Sequence, residues 1–163
     1  FYTFLFKESS RINIDKGCKI IACHNIKCAK GVNIGMNSFI TSIESQLIIG
    51  ENTVIGMNAH INADKGEYIE IGSNCIIGPN LLVRAANHKY NNPKKLIRDQ
   101  GHSSGKIVIE DNVWIGANSI ITAGVSIVSG CVIGAGSVVT KSLCKPGIYF
   151  GNPCTVHRFL GVN

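Results

Sequence analysis

A hydrophobic repeat with a period of six residues limits what this chain can fold into. In one long run, aliphatic residues recur at every sixth position: Ile109, Ile115, Ile121, Ile127, Ile133 and Val139. The same phase occurs earlier in shorter blocks: Ile34 and Ile40; Ile49, Ile55 and Ile61; Ile71, Ile77 and Val83. Glycine often follows directly, as at Gly35, Gly50, Gly56, Gly72, Gly78, Gly116 and Gly134. This period fits neither an α-helix nor a simple amphipathic strand.

Short strands that alternate with tight turns account for the repeat. Each strand would turn one branched side chain inward, and three hexads would complete a triangular coil of about eighteen residues. Between the blocks the register slips by three, four and twenty residues, which marks insertions at corners. Stacked coils would pile the inward Ile and Val residues into columns, each contributing roughly 1.5–3 kcal/mol on burial. The sequence therefore predicts an all-β solenoid.

Two segments depart from the repeat. Residues from about 84 to 106 are polar and contain Pro93, so they are expected to protrude as a loop. Residues from about 142 to 163 also lose the period and are expected to cap the last coil. A chain of 163 residues has room for one domain of ordinary size, so we expect residues 1–163 to form a single domain.

The charge pattern restricts the partners. The formal net charge of +6 suits an anionic partner such as a phosphate-bearing cofactor, a nucleic acid or an acidic glycan. However, the basic residues are scattered and are not interleaved with aromatic residues, which argues against nucleic-acid binding. The apolar stretch FYTFLF at residues 1–6 is too short to cross a membrane, so no stable membrane insertion is expected.

The cysteines indicate a reducing compartment. Their number, seven, is odd, and no pair has the C-x-x-C spacing of a zinc or redox site. We interpret them as small core residues of a cytoplasmic protein and expect no metal site.

The run VWIGANSIITAGVSIVSGCVIGAGSVVTK, followed by GNPCTVHRFL, resembles the hexapeptide-repeat acyltransferases. The similarity is greatest to the branch that includes galactoside, maltose and lipopolysaccharide O-acetyltransferases. This resemblance implies a left-handed parallel β-helix, a homotrimer, and active sites between neighbouring subunits. It also implies acetyl-CoA as the acetyl donor and a sugar hydroxyl as the acceptor, in cell-surface polysaccharide or lipopolysaccharide biosynthesis.

The resemblance also assigns catalytic and acceptor-binding residues. Attack by a hydroxyl on a thioester needs a nearby base, and a neutral imidazole suits this task near pH 7. His88 stands where the family has its catalytic histidine, and His102 in the same loop is its rival. Asn62 matches an asparagine with which some relatives bind the acceptor, and Asn87 is the polar neighbour of His88. Asp64 and Glu70 are further candidates to orient the base.

For coenzyme A, the resemblance indicates residues near the end of the repeat. They are Trp114, Gly116, Ala117, Ala135, Thr140, Lys141 and Arg158. Lys141 and Arg158 would meet phosphate. A backbone N–H near Gly116 or Ala117 would stabilise the oxyanion. Ala117 and Ala135 also suit a purely structural role, because tight corners demand small residues.

Three other functions stay open at this point. A zinc enzyme on the same solenoid needs three converging histidines, and the spacing of the five histidines here does not suit it. A non-catalytic β-helix scaffold would need neither the loop nor the terminal cations. An N-acetyltransferase acting on an amino sugar or a nucleotide-linked amino sugar would share the donor and differ only in the acceptor.

Overall fold

Short parallel strands wind into a prism with three faces. This architecture is seen in a computed structural model, which describes residues 11–65 and 67–161. Residues 1–6, which were expected not to span a membrane, lie outside the described residues. The last two residues of the expected cap also lie outside them. None of the described helices is long and apolar enough to span a bilayer.

Each face of the prism is one parallel sheet, to which every coil adds one strand. The first face contains β1 (Asn13–Ile14), β4 (Asn33–Ile34), β7 (Val54–Ile55), β10 (Ile76–Ile77), β15 (Trp114–Ile115) and β18 (Val132–Ile133). The second face contains β2 (Lys19–Ile21), β5 (Phe39–Thr41), β8 (His60–Asn62), β11 (Leu82–Arg84), β16 (Ile120–Ile121) and β19 (Val138–Val139). The third face contains β3 (Ile26–Cys28), β6 (Leu47–Ile49), β9 (Ile69–Ile71), β14 (Ile107–Ile109) and β17 (Ser126–Ile127).

The remaining elements lie outside these faces or extend them. A hairpin is formed by β12 (Ala86–His88) and β13 (His102–Ser104). At the C-terminal end, β20 (Gly147–Phe150) extends the first face, and β21 (Thr155–Phe159) pairs with it antiparallel. Two 3-10 turns span Cys23–Asn25 and Ile97–Asp99.

The coils differ in length at one corner only. On the first face, the register pairs Ile34 with Ile55, Ile55 with Ile77, Ile77 with Ile115, and Ile115 with Ile133. These steps are 21, 22, 38 and 18 residues long. The first three exceed an 18-residue coil by three, four and twenty residues, which are the predicted slips. All three insertions follow a strand of the second face, at what we call the second corner, between the second and third faces. The first corner joins the first and second faces.

The inward columns predicted from the repeat form the core. The aliphatic residues from Ile34 to Val139 named above are at most 2% exposed. Each stacks on its counterpart in the next coil, as Ile61 does on Val83 and Val83 on Ile121. Stability is therefore distributed along the solenoid, because every coil buries a similar set of side chains.

Glycine and asparagine make the corners tight. A Cβ on Gly78 would lie 2.6 Å from the backbone nitrogen of Ala117 in the next coil, so only glycine allows this approach. Two residues further on, Asn80 has a φ of 59°, which asparagine tolerates better than most residues. Equivalent corner asparagines with positive φ recur through the solenoid: Asn37, Asn52, Asn58, Asn74, Asn112 and Asn118.

The C-terminal segment caps the core, as the loss of the repeat predicts. Tyr149 takes the inward position above Ile133 and is 5% exposed. Its hydroxyl donates a hydrogen bond to the carbonyl of Lys145 at 2.7 Å. The antiparallel strand β21 then covers the edge of the first face, which a parallel solenoid would otherwise leave open.

The cysteines are only partly core residues. Cys18, Cys75 and Cys131 are buried, as expected, whereas Cys144 is exposed, because it lies in the cap outside the hexad pattern. Burial raises the pKa of the half-buried Cys28 thiol to about 12, so this thiol stays protonated at neutral pH.

Candidate active site

The loop predicted at residues 84–106 is a β-hairpin that leaves the second corner. Its strands pair Ala86 with Ser104 and His88 with His102. At the tip, the side-chain amide of Gln100 donates to the carbonyls of Asn92 and Lys95 at 3.0 Å, and its oxygen accepts from the N–H of Asn92. The hairpin is thus internally bonded at both ends, which gives His88 a fixed position on its strand.

Two histidines face each other across this hairpin. The ring centroids of His88 and His102 are 4.4 Å apart, with the planes tilted by 39°. His88 is exposed and His102 is half-buried. Partial desolvation lowers the pKa of His102, and the nearby positive charges of His88, Lys65 and Arg84 lower it further. His102 is therefore predominantly neutral at pH 7.

Below the hairpin, polar residues stack in register along the second corner. Arg84 pairs with Asn62, and Asn62 pairs with Thr41. The Arg84 Nε donates to the carbonyl of Ala86 at 3.1 Å, which places the guanidinium at the base of the hairpin. Arg84 is exposed, whereas Asn62 is 9% exposed.

Asp64 holds the side chain of Asn62 from behind. The Asn62 Oδ1 accepts a hydrogen bond from the N–H of Asp64 at 2.9 Å. The Thr41 hydroxyl donates its one hydrogen to the Asp64 carboxylate, whose two oxygens lie 2.8 and 3.0 Å away, and the N–H of Ile43 donates to the same carboxylate at 2.5 Å. This arrangement leaves the Asn62 amide nitrogen available to donate. The hydrogen bonds of Asp64 to Thr41, Ile43 and Asn62 thus give this residue a role at the second corner that involves no contact with His88.

The two other polar candidates lie away from the His88 ring. Asn87 is exposed and pairs with Ser103, and its side chain leaves the opposite side of the strand from that of His88. Glu70 lies on the third face, between Ile48 and Val108.

The residues predicted to bind coenzyme A fall into two groups. Trp114 lies on the first face and is 54% exposed, while Gly116, Ala117 and Ala135 line the first corner. A Cβ on Gly116 would lie 2.5 Å from the nitrogen of Ala135, so the corner does require small residues there. The N–H of Gly116 donates to the carbonyl of Ile133 at 2.7 Å. It is therefore not free to stabilise an oxyanion.

The second group lies at the C-terminal end of the solenoid. Thr140 and Lys141 follow β19 at the second corner, the same corner from which the hairpin leaves two coils earlier. Lys141 lines an open pocket of about 440 Å³ between the last corner and the cap, together with Lys145, Tyr149 and Phe159. Arg158 is exposed and pairs with Ile148 on β20, but it is not among the residues that line this pocket.

One chain therefore does not bring all the predicted residues together. His88, Asn62, Thr140 and Lys141 share the second corner, whereas the group around Trp114 lies on the first face and first corner. Four residues escaped sequence reasoning in whole or in part: Lys65, Arg84, His102 as a contact of His88, and Lys145. Of these, only Arg84 could have been found from the sequence. When the repeats are aligned, the other coils have a neutral residue at the position of Arg84.

Comparison with known proteins gives the family. The sequence model described as hexapeptide repeat of succinyl-transferase matches residues 46–85 and 106–141, which are the coils on either side of the hairpin. A galactoside O-acetyltransferase from Lactococcus lactis is 35% identical over 129 residues, or 77% of this chain and 61% of that protein. The chain belongs to the hexapeptide-repeat acyltransferase family. It spans about three fifths of the length of this curated relative.

Solved structures agree with this family and with its fold. A maltose O-acetyltransferase from Clostridium difficile superposes with a TM-score of 0.71 at 28% identity, covering 98% of this chain and 73% of that one. A galactoside acetyltransferase in complex with coenzyme A superposes with a TM-score of 0.63 at 34% identity, covering 69% of this chain and 55% of that one. The predicted left-handed parallel β-helix is thereby confirmed for this family member. Within residues 11–65 and 67–161, no three His, Cys, Asp or Glu side chains are grouped to hold a metal ion.

Proposed function

We propose that this protein transfers the acetyl group of acetyl-CoA to a hydroxyl group of a sugar. The relatives named as galactoside and maltose O-acetyltransferases support this reaction, and the relative solved with coenzyme A supports the donor. The observation that carries the proposal is the exposed His88 ring on a bonded hairpin, at the same corner as Asn62.

His88 acts as the general base in this proposal. It removes the proton from the acceptor hydroxyl while the oxygen attacks the acetyl carbonyl carbon, and it returns that proton to the sulfur when the carbon–sulfur bond breaks. The Asn62 amide nitrogen, turned outward because its oxygen is bonded to Asp64, donates a hydrogen bond to the acceptor.

His102 supports the base through its charge state. Because its pKa is lowered, it is neutral when His88 takes up a proton, so the pair does not carry two positive charges at 4.4 Å. A neutral ring beside His88 also limits the side-chain orientations that His88 can adopt.

Coenzyme A binds along the later coils. Lys141 contributes positive charge for the phosphates at the end of the solenoid, and Arg158 does so from the cap, while Thr140 is exposed between the pocket and the hairpin. Gly116, Ala117 and Ala135 offer a corner with small side chains to the pantetheine arm, and Trp114 offers its exposed ring beside them.

The active sites lie between subunits of a homotrimer in this proposal. An exposed apolar column on the first face supports it: Val54, Ile76 and Trp114 are register neighbours and are 43%, 60% and 54% exposed. Since Trp114 and His88 lie on different sides of one chain, a second copy would supply the half of the site that each chain lacks.

The biological setting follows from the same proposal. We infer a cytoplasmic single-domain enzyme that modifies cell-surface polysaccharide or lipopolysaccharide precursors. Six of the cysteines support a reducing compartment, because Cys23, Cys28, Cys75, Cys131, Cys144 and Cys154 are free thiols.

Calorimetric titration of the purified protein with coenzyme A tests the proposal. Saturable binding of about one coenzyme A per chain is expected. Screening of hydroxyl and amine acceptors with acetyl-CoA then separates a sugar O-acetyltransferase from an N-acetyltransferase. Absence of coenzyme A binding at millimolar concentration would favour the scaffold alternative.

A further inference from the structure

Positive charge is concentrated around the His88 and His102 rings. Lys65 and Arg84 are both exposed, and both are close enough to contribute to the lowered pKa of His102. They reach the pair from different elements: Arg84 ends β11 directly below the hairpin, while Lys65 lies in the turn that follows β8. Two coils thus direct cations towards one place.

No carboxylate among the described residues forms an ion pair with either cation. Asp64 is the sequence neighbour of Lys65, but its carboxylate is already bonded to Thr41 and Ile43. Across residues 11–65 and 67–161, the only ion pair joins Arg98 to Asp99, in the outer part of the loop. The Arg84 Nε bonds to Ala86, which leaves the two terminal nitrogens of the guanidinium available.

The position of Arg84 within the repeat is also unusual. The second-face strands place Ile21, Thr41, Asn62 and Arg84 at one register position, and the same register continues to Thr122 and Thr140. Among these six residues, Arg84 is the only charged one, and it belongs to the coil from which the hairpin leaves. The repeat itself does not require a cation there, because neutral residues serve the same position in five other coils.

We propose that the acceptor sugar carries a negatively charged group, a carboxylate or a phosphate, and that Arg84 and Lys65 bind it beside the hydroxyl that His88 deprotonates. This inference rests on the proposed transfer reaction and adds the chemical class of its acceptor. Arginine suits the role because its planar guanidinium can bind both oxygens of a carboxylate or phosphate at once. The lysine adds a second, flexible cation from the preceding coil.

Matched acceptors test this inference directly. The first pair is p-nitrophenyl β-D-glucuronide and its uncharged carboxamide, which differ in charge but share the same hydroxyl groups. The second pair is glucose 1-phosphate and methyl glucoside, which asks whether phosphate can replace carboxylate. With the unaltered protein, kcat/KM is expected to be at least tenfold higher for the charged member of one of the two pairs.

Four variants assign the effect to residues. Arg84→Gln and Lys65→Asn each remove one charge, and asparagine suits the φ of 54° at position 65. Each is expected to lower the ratio of charged to neutral kcat/KM at least tenfold, mainly through KM. Lys94→Gln is the matched control, because it removes one exposed charge from the outer loop and is expected to leave the ratio unchanged. Arg84→Lys keeps the charge but lacks the planar guanidinium, so its ratio should lie between those of Arg84→Gln and the unaltered protein.

Calorimetric titration with the same sugars separates the inference from the proposed function. Tighter binding of a charged sugar that is lost in Arg84→Gln supports the inference even if no acetyl transfer occurs, in which case the proposed reaction fails alone. Equal binding and equal turnover of the charged and neutral members in both pairs would overturn the inference and leave the acetyltransferase proposal standing. A ratio that is the same in Arg84→Gln and in Lys94→Gln would also overturn it.

Discussion

The rings of His88 and His102 lie opposite each other on paired strands, with their centroids 4.4 Å apart. Only one of the two is suited to hold a proton at a time, because two imidazolium ions at this distance would repel each other. In the proposed reaction, His88 would therefore be the exposed base and His102 its neutral neighbour.

Replacement of His88 by alanine is expected to lower kcat by two orders of magnitude or more, since loss of a general base costs about 10²–10⁴ in rate. His102→Ala is the comparison and is expected to have a smaller effect on kcat. Steady-state kinetics with a saturating acceptor measure both, while circular dichroism and native mass check the fold and the assembly. Near-normal turnover in His88→Ala would transfer the role of base to His102.

The protonation of His102 gives a second prediction. Its midpoint in an NMR titration is expected below the ordinary histidine value of about 6.5. His88→Ala should raise that midpoint, since one of the three neighbouring positive charges is removed, and His157→Ala should not change it. A midpoint at or above the ordinary value would contradict the partial desolvation of His102 and its proximity to positive charges.

The same shift determines how stability depends on pH. Below about pH 6.5 the unfolded chain binds a proton at His102 more readily than the folded protein does, so folding stability falls as the pH falls through this range. Thermal unfolding at pH 7 and pH 5 should show a smaller loss in His102→Gln than in the unaltered protein.

The fold could be predicted because its signal is local. Every inward residue of a coil stands six residues from the next, so a period in the sequence translates directly into a column, as from Ile109 to Val139. The corner asparagines were predictable as well. Asn80 and Asn118 each stand three residues after an inward isoleucine, at the corner position where φ is positive.

The site was less predictable because it depends on contacts between coils. The contact of His88 with His102 depends on the register of a hairpin in which thirteen residues separate the two histidines, and no period indicates that register. The convergence of Lys65 and Arg84 likewise depends on how far each insertion reaches from its corner. The use of the Gly116 N–H in the parallel sheet became visible only from the pairing with Ile133.

Lys141→Ala is expected to raise the KM for acetyl-CoA on the order of tenfold, which corresponds to loss of a charge-assisted hydrogen bond to phosphate. Lys145 lines the same pocket, so Lys145→Ala should act in the same direction. Lys16→Ala, an exposed lysine at the other end of the solenoid, is the control. A KM that stays unchanged in both pocket variants would remove this end of the solenoid from the donor site.

Ile76→Lys tests the proposed assembly. Ile76 is exposed on the first face between Val54 and Trp114, so a lysine there should disrupt a covered apolar column without disturbing the core. Light scattering after size exclusion is expected to show a trimer for the unaltered protein and a monomer for this variant. Leu96→Lys is the control, because Leu96 is at least as exposed and lies in the outer part of the loop, away from the first face. A monomeric unaltered protein would contradict the proposal.

The corner asparagines allow backbone and side-chain effects to be separated. The Asn80 amide nitrogen donates to the Asn118 oxygen at 2.9 Å, and the Asn80 oxygen accepts from Asn58 at 3.1 Å, while its φ is 59°. Asn80→Ala loses both hydrogen bonds and also forces alanine into the left-handed region, which costs roughly 1–2 kcal/mol. Asn80→Gly loses the same bonds but keeps an unstrained backbone, apart from the flexibility that glycine adds to the unfolded chain. Chemical denaturation should therefore show a larger loss of unfolding free energy for alanine than for glycine. Equal losses in the two variants would mean that the ladder of side-chain amides, rather than the left-handed backbone, is what requires asparagine at this corner.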